Sequence, residues 1–417
     1  MKIKKVIGRE IFDSRGLPTV SCEITLENGT LVTSSVPSGK SRSKKEAFEL
    51  RDHDKARLMG QGVLKAIHNI EYVIGSKIIG QEADLVIVDD ILRDLDATPD
   101  KRILGANATL AVSMAACKAQ AHTENLELFE MIAQLYGSDS VSLPFPLLNI
   151  FNGGVHADNH FPIQEIMLVP IGAQNFRASL EASVEVFYEL KRLLQEAQKS
   201  TAVGDEGGFC PLFSSEYEPF DFIVAALKNT DNHDLFRIGL DVAADQLYNQ
   251  KTGMYRWKQG EKTTEQLFAF YKKLEHEYPL FSIEDGFCQD DIEGWKMLFE
   301  QFSNTLQVVG DDIFATNSQE IIKGVEQEIA NAAIIKPNQI GTVTETFEAI
   351  AVCQQVGMNA IISHRSGETT DTFIADLAVG TSSGQIKAGA PCRGERIAKY
   401  NRLLEIEEML TMDLLNF

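Results

Sequence analysis

The C-terminal two thirds of the chain repeats one pattern, in which a short apolar stretch ends in a charged or polar residue and a helical stretch follows. The residues at these ends are Asp241, Glu284, Asp311, Lys336, His364 and Lys387. Continuous apolar strands that alternate with helices predict a parallel sheet covered on both faces. Eight such units close into a barrel of about 250 residues, with reactive side chains at the C-terminal ends of its strands. The pattern therefore predicts an (α/β)8 barrel in residues 136–417.

An open, doubly wound sheet is the alternative architecture for the same pattern. A sheet of that kind carries a glycine-rich phosphate loop after its first strand. The only Gly-x-Gly sequence, Gly60-Gln61-Gly62, lacks a third glycine and follows no predicted strand. The sequence accordingly favours the closed barrel.

Residues 1–135 follow a different rhythm and predict a smaller N-terminal domain. Two strand-like stretches, residues 19–26 and 31–36, flank Asn28-Gly29, which is the strongest two-residue signal for a β-hairpin. Helical periodicity follows, most clearly over residues 107–122. The small, polar stretch from Tyr136 to Pro144 is prone to turns, so we place the domain boundary at its start.

The formal net charge of the chain is −21. Binding to nucleic acid or to an anionic membrane needs a basic surface, so we expect neither partner. No apolar run approaches the ~20 residues of a membrane helix, and the lysine-rich start lacks the apolar stretch of a signal peptide. The six cysteines are scattered without a Cys-x-x-Cys spacing, as in proteins of a reducing compartment. We therefore expect a cytoplasmic protein that does not insert into membranes.

Three carboxylates, Asp241, Glu284 and Asp311, end three of the predicted strands. A barrel would bring them toward one spot, where unpaired carboxylates repel one another and lose hydration. A divalent cation resolves this conflict, and oxygen ligands favour Mg²⁺ or Mn²⁺ over zinc. The alternative is that each carboxylate caps the helix after its strand. Three carboxylates at matching strand ends favour the metal.

Lys336 and Lys387 end two later predicted strands. Lysine is rarely buried without a partner. A partly desolvated lysine near Mg²⁺ has a lowered pKa and can act as a base. The alternative is a salt bridge from each lysine to the carboxylates across the barrel mouth, and the residues alone leave both possibilities open.

Two further carboxylates, Glu206 and Glu165, are candidates for general acid chemistry. Glu206 lies among glycines, and Glu165 begins an apolar stretch. Paired carboxylates with separated pKa values suit the protonation of a leaving hydroxyl. His156 lies in a glycine-rich loop suited to a lid, and Arg365 with Ser366 follows a strand as a phosphate grip would. Taken singly, each of these residues also fits an ordinary surface turn or salt bridge.

The same residues belong to a set of short motifs that runs through nearly the whole chain. These motifs are Asp13-Ser-Arg-Gly-Leu-Pro-Thr19, Glu49-Leu-Arg-Asp52, Leu104-Gly-Ala-Asn107, Asn152-Gly-Gly-Val-His-Ala-Asp158, Gln164-Glu165, Gly204-Asp-Glu-Gly-Gly208, Ser282-Ile-Glu-Asp285, Gly310-Asp-Asp312, Lys336-Pro-Asn-Gln-Ile-Gly-Thr342, Ser363-His-Arg-Ser-Gly-Glu-Thr369 and Gly384-Gln-Ile-Lys387. In order and spacing the motifs resemble those of the enolase family, and the Val-His-Ala-Asp-Asn form of the lid is more similar to bacterial enolases. The resemblance implies an α+β N-terminal domain on an (α/β)8 barrel with an irregular start. It also implies the reversible dehydration of 2-phosphoglycerate to phosphoenolpyruvate in glycolysis and gluconeogenesis.

The resemblance further implies a role for each candidate residue. Lys336 would be the base and Glu206 the acid, with Glu165 as its helper. Two Mg²⁺ ions are implied, the first held by Asp241, Glu284 and Asp311 and the second held with the help of Ser41. The remaining implied positions are the catalytic His364 and the substrate contacts His156, Gln164, Glu165, Glu284, Asp311, Lys336, Arg365, Ser366 and Lys387. The family also implies a homodimer or an assembly of dimers.

The first mobile loop departs from the family pattern Ser-Gly-Ala-Ser-Thr-Gly, because here it reads Ser-Gly-Lys-Ser-Arg-Ser from residue 38 to residue 43. Lys40 and Arg42 add positive charge, so we predict weaker binding of a second Mg²⁺, or a direct grip on the substrate phosphate. Ser43 replaces a glycine and predicts a bias away from the closed loop. Two other functions stay open: an enolase-fold enzyme for a related phosphonate or phosphinate acid, and a weakly active paralogue that binds a partner.

Overall fold

The computed structural model describes residues 1–40, 43–258 and 260–415, without the side chains of residues 413–415. The N-terminal part begins with an antiparallel sheet of β1 (Ile3–Phe12), β2 (Pro18–Leu26) and β3 (Leu31–Ser35), in that order. Strands β2 and β3 pair over Ser21–Thr25 and Leu31–Ser35, which confirms the predicted hairpin.

Helices complete the N-terminal part. They are α1 (Leu64–His68), α2 (Gly75–Ile78), α3 (Leu85–Leu95), α4 (Ala106–Glu124) and α5 (Leu128–Tyr136), with a π-helical segment (Asn69–Ile74) between α1 and α2. Helix α4 matches the predicted helix and is buried along most of its length, since it contacts β2, β3, α3 and α5. Its many alanines let these neighbours approach closely. Because neighbours cover most of the helix, its sequence does not divide into an apolar face and a polar face.

The second part is a closed barrel, as predicted. Its first three strands are β4 (Phe145–Asn152), β5 (Glu165–Val169) and β6 (Arg237–Asp241). A small separate sheet comes next in the chain and consists of β7 (Tyr248–Asn249), β8 (Met254–Trp257) and β9 (Gly260–Lys262). The other five barrel strands are β10 (Leu280–Glu284), β11 (Gln307–Gly310), β12 (Ala332–Ile335), β13 (Asn359–Ser363) and β14 (Gln385–Lys387). Round the ring the order is β4-β5-β6-β10-β11-β12-β13-β14, and β14 pairs with β4.

Helices cover the outside of the barrel. They are α6 (Phe176–Glu196), α7 (Glu218–Asn229), α8 (Thr264–Glu277), α9 (Ile292–Phe302), α10 (Ser318–Glu326), α11 (Pro337–Ile340), α12 (Val343–Gln355), α13 (Phe373–Gly380) and α14 (Gly394–Leu415). Apolar side chains from several strands, among them Leu147, Met167, Ile334 and Ile361, form a separate cluster of their own that fills the barrel. Within the residues that the structure describes, none of the helices has the length and apolar character needed to cross a bilayer.

The start of the barrel is irregular, because β5 runs antiparallel to both β4 and β6. The other strand pairs of the ring are parallel. A reversed strand presents its first residue at the rim where its neighbours present their last. Glu165 therefore pairs in register with Asp241, which in turn pairs with Glu284.

The two parts meet at a short backbone bridge. Ser38 N donates to Gly367 O at 2.8 Å, and Gly367 N donates to Ser38 O at 2.9 Å. An added Cβ at residue 367 would lie 2.3 Å from Asp13 Oδ2, so a side chain there would displace the Asp13 carboxylate. The bridge fixes the N-terminal part against the loop after β13. Helix α5 ends at Tyr136 and β4 begins at Phe145, and the boundary placed at residue 135 stays a prediction.

Candidate active site

A narrow polar cavity opens at the C-terminal end of the barrel. Most of the sequence-predicted site residues line it, namely His156, Gln164, Glu165, Glu206, Asp241, Asp311, Lys336, His364, Arg365, Ser366 and Lys387. Glu284 joins them through its contact with Lys387. Ser41 and Arg42 lie outside the described residues. The barrel thus brings the residues at its strand ends together in a single site, as the repeated pattern predicts.

Lys387 forms the centre of the carboxylate rim. Its Nζ donates to Asp241 Oδ2 at 2.8 Å and to both Glu284 oxygens at 3.0 and 2.9 Å, and Glu165 Oε1 lies 3.4 Å away. Burial alone would lower the pKa of Lys387, but these carboxylates outweigh it and hold the pKa well above its usual range. Lys387 is therefore a cation in this arrangement.

Lys336 donates to Asp311, whose other oxygen accepts from Gln339 Nε2 at 3.1 Å. Burial works to lower the pKa of Lys336, and Asp311 outweighs burial and raises it. The salt-bridge alternative for both lysines is thus realised. Asp311 is the group that keeps Lys336 protonated here.

Glu165 and Glu206 meet beside His156. One ligand atom from each of these three residues lies within 4.8 Å of the others, and His156 Nδ1 is 3.2 Å from Glu206 Oε2. Burial and the Glu206 charge raise the pKa of Glu165 well above its usual range. For Glu206, burial acts to raise the pKa, but the contact with His156 is the largest opposing effect and the pKa falls well below its usual range. The two carboxyl groups are therefore separated in acidity, with the pKa of Glu165 raised and that of Glu206 lowered.

Arg365 and Ser366 follow β13 and lie against the first loop. Arg365 donates to the two Glu46 carboxylate oxygens at 3.0 and 3.2 Å, and both side chains are buried. Ser366 Oγ accepts from the backbone N of Lys40 at 2.9 Å. A phosphate bound here would meet an arginine whose orientation Glu46 already fixes.

The described part of the first loop has its own anchors. Lys40 Nζ lies 3.0 Å from Asp205 Oδ2. The Ser43 hydroxyl donates to the carbonyl oxygen of Asp312 at 2.7 Å. Ser43 thereby ties the end of the loop to the barrel.

The C-terminal rim of the barrel places several carboxylate oxygens close together, as a divalent-cation site requires. Among the described residues, Asp285, Asp311 and Asp312 each place one oxygen within 4.8 Å of the others. The predicted set of Asp241, Glu284 and Asp311 is less compact, and the ammonium groups of Lys387 and Lys336 contact it instead. Burial and repulsion from Asp241 raise the pKa of Glu284 well above its usual range. This crowding of buried carboxylates fits Mg²⁺, which takes oxygen ligands.

The alternative that these carboxylates cap the following helices is wrong. The side chains that cap α8, α9 and α10 are Thr263, Asp291 and Asn317. The three rim carboxylates therefore do not cap these helices.

Sequence reasoning did not assign a role to several residues that shape the site. Asp285 accepts from the backbone N of both Asp311 and Asp312 at 2.9 Å and so holds the turn after β11. Doubled acids after two strand ends were the available signal for this arrangement. Glu46 and Arg396 reach the site from distant segments, and no local pattern marks them.

The chain matches two family descriptions. Residues 3–132 match "Enolase, N-terminal domain", and residues 140–415 match "Enolase, C-terminal TIM barrel domain". The two matches correspond to the two parts of the fold, and the carboxylates and lysines described above lie in the second. Together they cover nearly the whole sequence, and the chain belongs to the enolase family.

Proposed function

We propose that this protein catalyses the Mg²⁺-dependent, reversible dehydration of 2-phosphoglycerate to phosphoenolpyruvate. One observation carries the proposal. Lys336 follows β12 and Glu165 begins β5, and these strands lie four positions apart in either direction round the ring of eight. A base and an acid therefore face each other across the cavity. That arrangement suits a reaction that removes a proton from one carbon and a hydroxyl from the next.

On this proposal Lys336 takes the carbon-bound proton. Its pKa is the balance between burial, which favours the neutral amine, and Asp311, which favours the cation. Asp241, Glu284 and Asp311 would hold Mg²⁺, which supplies positive charge to stabilise an ene-diolate. If Asp311 served as a metal ligand, Lys336 would lose the partner that raises its pKa.

The Glu165–Glu206 pair supplies the proton for the leaving hydroxyl. The sequence favours Glu206 as the acid, whereas the pKa is raised for Glu165 and lowered for Glu206. We infer that the pair holds one proton between the two carboxyl groups and works as a unit. Loss of either carboxyl group would then stop dehydration.

Arg365, Ser366 and Lys387 provide the contacts for a substrate with two anionic groups. Arg365 and Ser366 lie on one loop and suit the phosphate, whereas Lys387 lies among the rim carboxylates and suits the substrate carboxylate. The positive charge is thus local to the cavity of a protein whose net charge is −21.

The direct test is formation of phosphoenolpyruvate from 2-phosphoglycerate with Mg²⁺, followed by the ultraviolet absorbance of the enol. Lys336→Ala should abolish it. Lys296→Ala, which removes a half-exposed lysine of α9, is the matched control and should keep full turnover. No turnover by the wild type, with turnover of a phosphonate or phosphinate analogue, would replace the proposed substrate. No turnover of either would support the binding paralogue.

A further inference from the structure

Arg396, the third residue of α14, is completely buried although it carries a permanent charge. Its stem passes over Gly389, where an added Cβ would lie 2.7 Å from Arg396 Cδ. A buried guanidinium needs acceptors for its N–H groups. Its acceptors are the backbone oxygens of Asp205 at 3.1 Å, Arg365 at 2.7 Å and Ser366 at 2.7 Å, and the Nδ1 atom of His364 at 2.6 Å.

The contact with His364 determines where the proton of that ring sits. A guanidinium has five N–H donors and no acceptor. The His364 Nδ1 atom at 2.6 Å from Arg396 Nη1 must therefore accept, and it carries no proton. A neutral imidazole with a bare Nδ1 has its single proton on Nε2.

The other ring nitrogen of His364, a residue that lines the candidate active-site cavity, is Nε2. It is buried, has no hydrogen-bond partner among the described residues, and lies 3.7 Å from Glu206 Oε1. A second proton on the ring would have to go to Nδ1, directly opposite the Arg396 N–H. Burial also lowers the pKa of His364 well below its usual range; Glu206 opposes this, while Arg396, Lys387 and Lys336 reinforce it.

We infer that Arg396 is a positioning residue that fixes His364 as a neutral ring with its N–H on Nε2, directed at Glu206. The same guanidinium joins the backbone before Glu206 to that of the Arg365–Ser366 loop. One buried side chain thus sets the tautomer of His364 and the spacing of the acid and phosphate loops.

The consequence for His364 rests on the proposed function. A ring that cannot take a proton on Nδ1 does not carry protons between solvent and substrate. It donates one hydrogen bond from Nε2, either to Glu206 or to the hydroxyl that leaves. The mobile proton of the second step then belongs to the Glu165–Glu206 pair.

Nitrogen-15 NMR of the full-length protein, labelled only in histidine and free of substrate and Mg²⁺, tests the tautomer directly. The His364 signals are assigned by their loss in His364→Gln. We expect the bare, pyridine-like shift for Nδ1 and the protonated shift for Nε2, both unchanged between about pH 5 and 8. A protonated Nδ1, or a ring that titrates in this range, would overturn the inference.

Two variants separate the positioning role from simple support of the fold. Arg396→Gln removes the charge and offers an amide oxygen, so it should let the proton move to Nδ1 and lower kcat about 100-fold with KM little changed. Arg396→Lys keeps a donor-only cation and should keep the proton on Nε2. A folded Arg396→Gln protein with an unchanged tautomer would show that Arg396 does not set it. Arg402→Gln, on the same helix and paired with Asp376, is the control.

The NMR result is independent of catalysis. If the tautomer is as inferred but 2-phosphoglycerate is not turned over, the proposed function fails and the inference about Arg396 stands. If turnover is normal and Nδ1 is protonated, the inference fails and the proposed function stands.

Discussion

The ammonium group of Lys40 lies 3.0 Å from Asp205 Oδ2, in the residue immediately before Glu206. This ion pair joins the first loop of the N-terminal part to the loop that carries the proposed acid. The Lys40 side chain is 43% exposed, so the pair is screened by solvent. The positive charge of Lys40 is therefore engaged by a neighbouring carboxylate.

Because Asp205 holds the Lys40 charge, Lys40→Ala alone should leave the Mg²⁺ concentration for half-maximal turnover within about twofold. Asp205→Ala frees the ammonium group and should raise that concentration about fivefold. Asp158→Ala, in the other glycine-rich loop, is the matched control. A clearly lower Mg²⁺ requirement in Lys40→Ala would show that Lys40 opposes the metal after all.

Removal of divalent cations should abolish turnover, because the buried carboxylates of the rim then repel the developing negative charge. Asp311→Asn and Glu284→Gln should each weaken Mg²⁺ binding by at least about tenfold, measured by calorimetry on the free protein. Glu293→Gln, whose side chain is 84% exposed, serves as the control. Full activity in excess chelator would contradict the metal site.

Lys336→Ala should stop exchange of the carbon-bound proton of 2-phosphoglycerate with solvent deuterium, because the base is gone. Glu206→Gln and Glu165→Gln should both block dehydration while part of that exchange remains. Exchange is followed by proton NMR of the substrate. Normal exchange in Lys336→Ala would move the base to another residue, and normal dehydration in Glu165→Gln would assign the acid to Glu206 alone.

The carboxyl group of Asp89, in α3, predicts a pH-dependent stability that is separate from the active site. Asp89 is fully buried where α3 meets the barrel, and its Oδ2 accepts from Thr344 N at 3.0 Å. Burial raises its pKa to about 6. The folded state binds this proton more tightly than the unfolded chain, so the stabilising contribution is full below about pH 4 and is lost as pH rises toward about 6. The loss is about 3 kcal/mol, because the pKa lies at about 6 in place of the ordinary 3.8 and each pKa unit corresponds to about 1.4 kcal/mol.

Urea denaturation at several pH values measures this contribution as the difference between wild type and Asp89→Asn. Asparagine can still accept from Thr344 N and has no proton to lose, so the variant should gain stability relative to wild type as pH rises from about 4 to 7. Asp94→Asn, an exposed position of the same helix, should show no such trend. Parallel pH profiles for Asp89→Asn and wild type would contradict the prediction.

The barrel and most of its rim could be predicted because the relevant information is local. Asp241, Glu284 and Lys387 end their strands, and parallel strands of a barrel bring such ends together whatever the side-chain details. Glu165 differs from these residues because it lies at the start of its strand. Its place on the rim follows only from the reversal of β5, which the family resemblance supplied as an irregular start and which periodicity does not reveal.

The charge state of the site could not be predicted, because it depends on distances between residues far apart in the chain. Lys387 satisfies carboxylates of three strands at once, and Arg365 is held by Glu46, which lies 319 positions away. The direction of a pKa shift reflects which of burial and pairing is stronger. To compare burial with pairing, one needs the positions of all neighbouring charges in the folded protein. The pattern of residues at strand ends does not contain those positions.

The backbone bridge between Ser38 and Gly367 has a consequence for how such a chain can change over generations. The two partners are encoded far apart, yet each supplies both a donor and an acceptor to the other, and a side chain at residue 367 would displace the Asp13 carboxylate. A recombination event that exchanged only one half between relatives would carry half of this joint. The two segments therefore need to be inherited together. A barrel combined with the first loop of another protein would keep the residues of its rim but lose the loop residues that pair with Gly367.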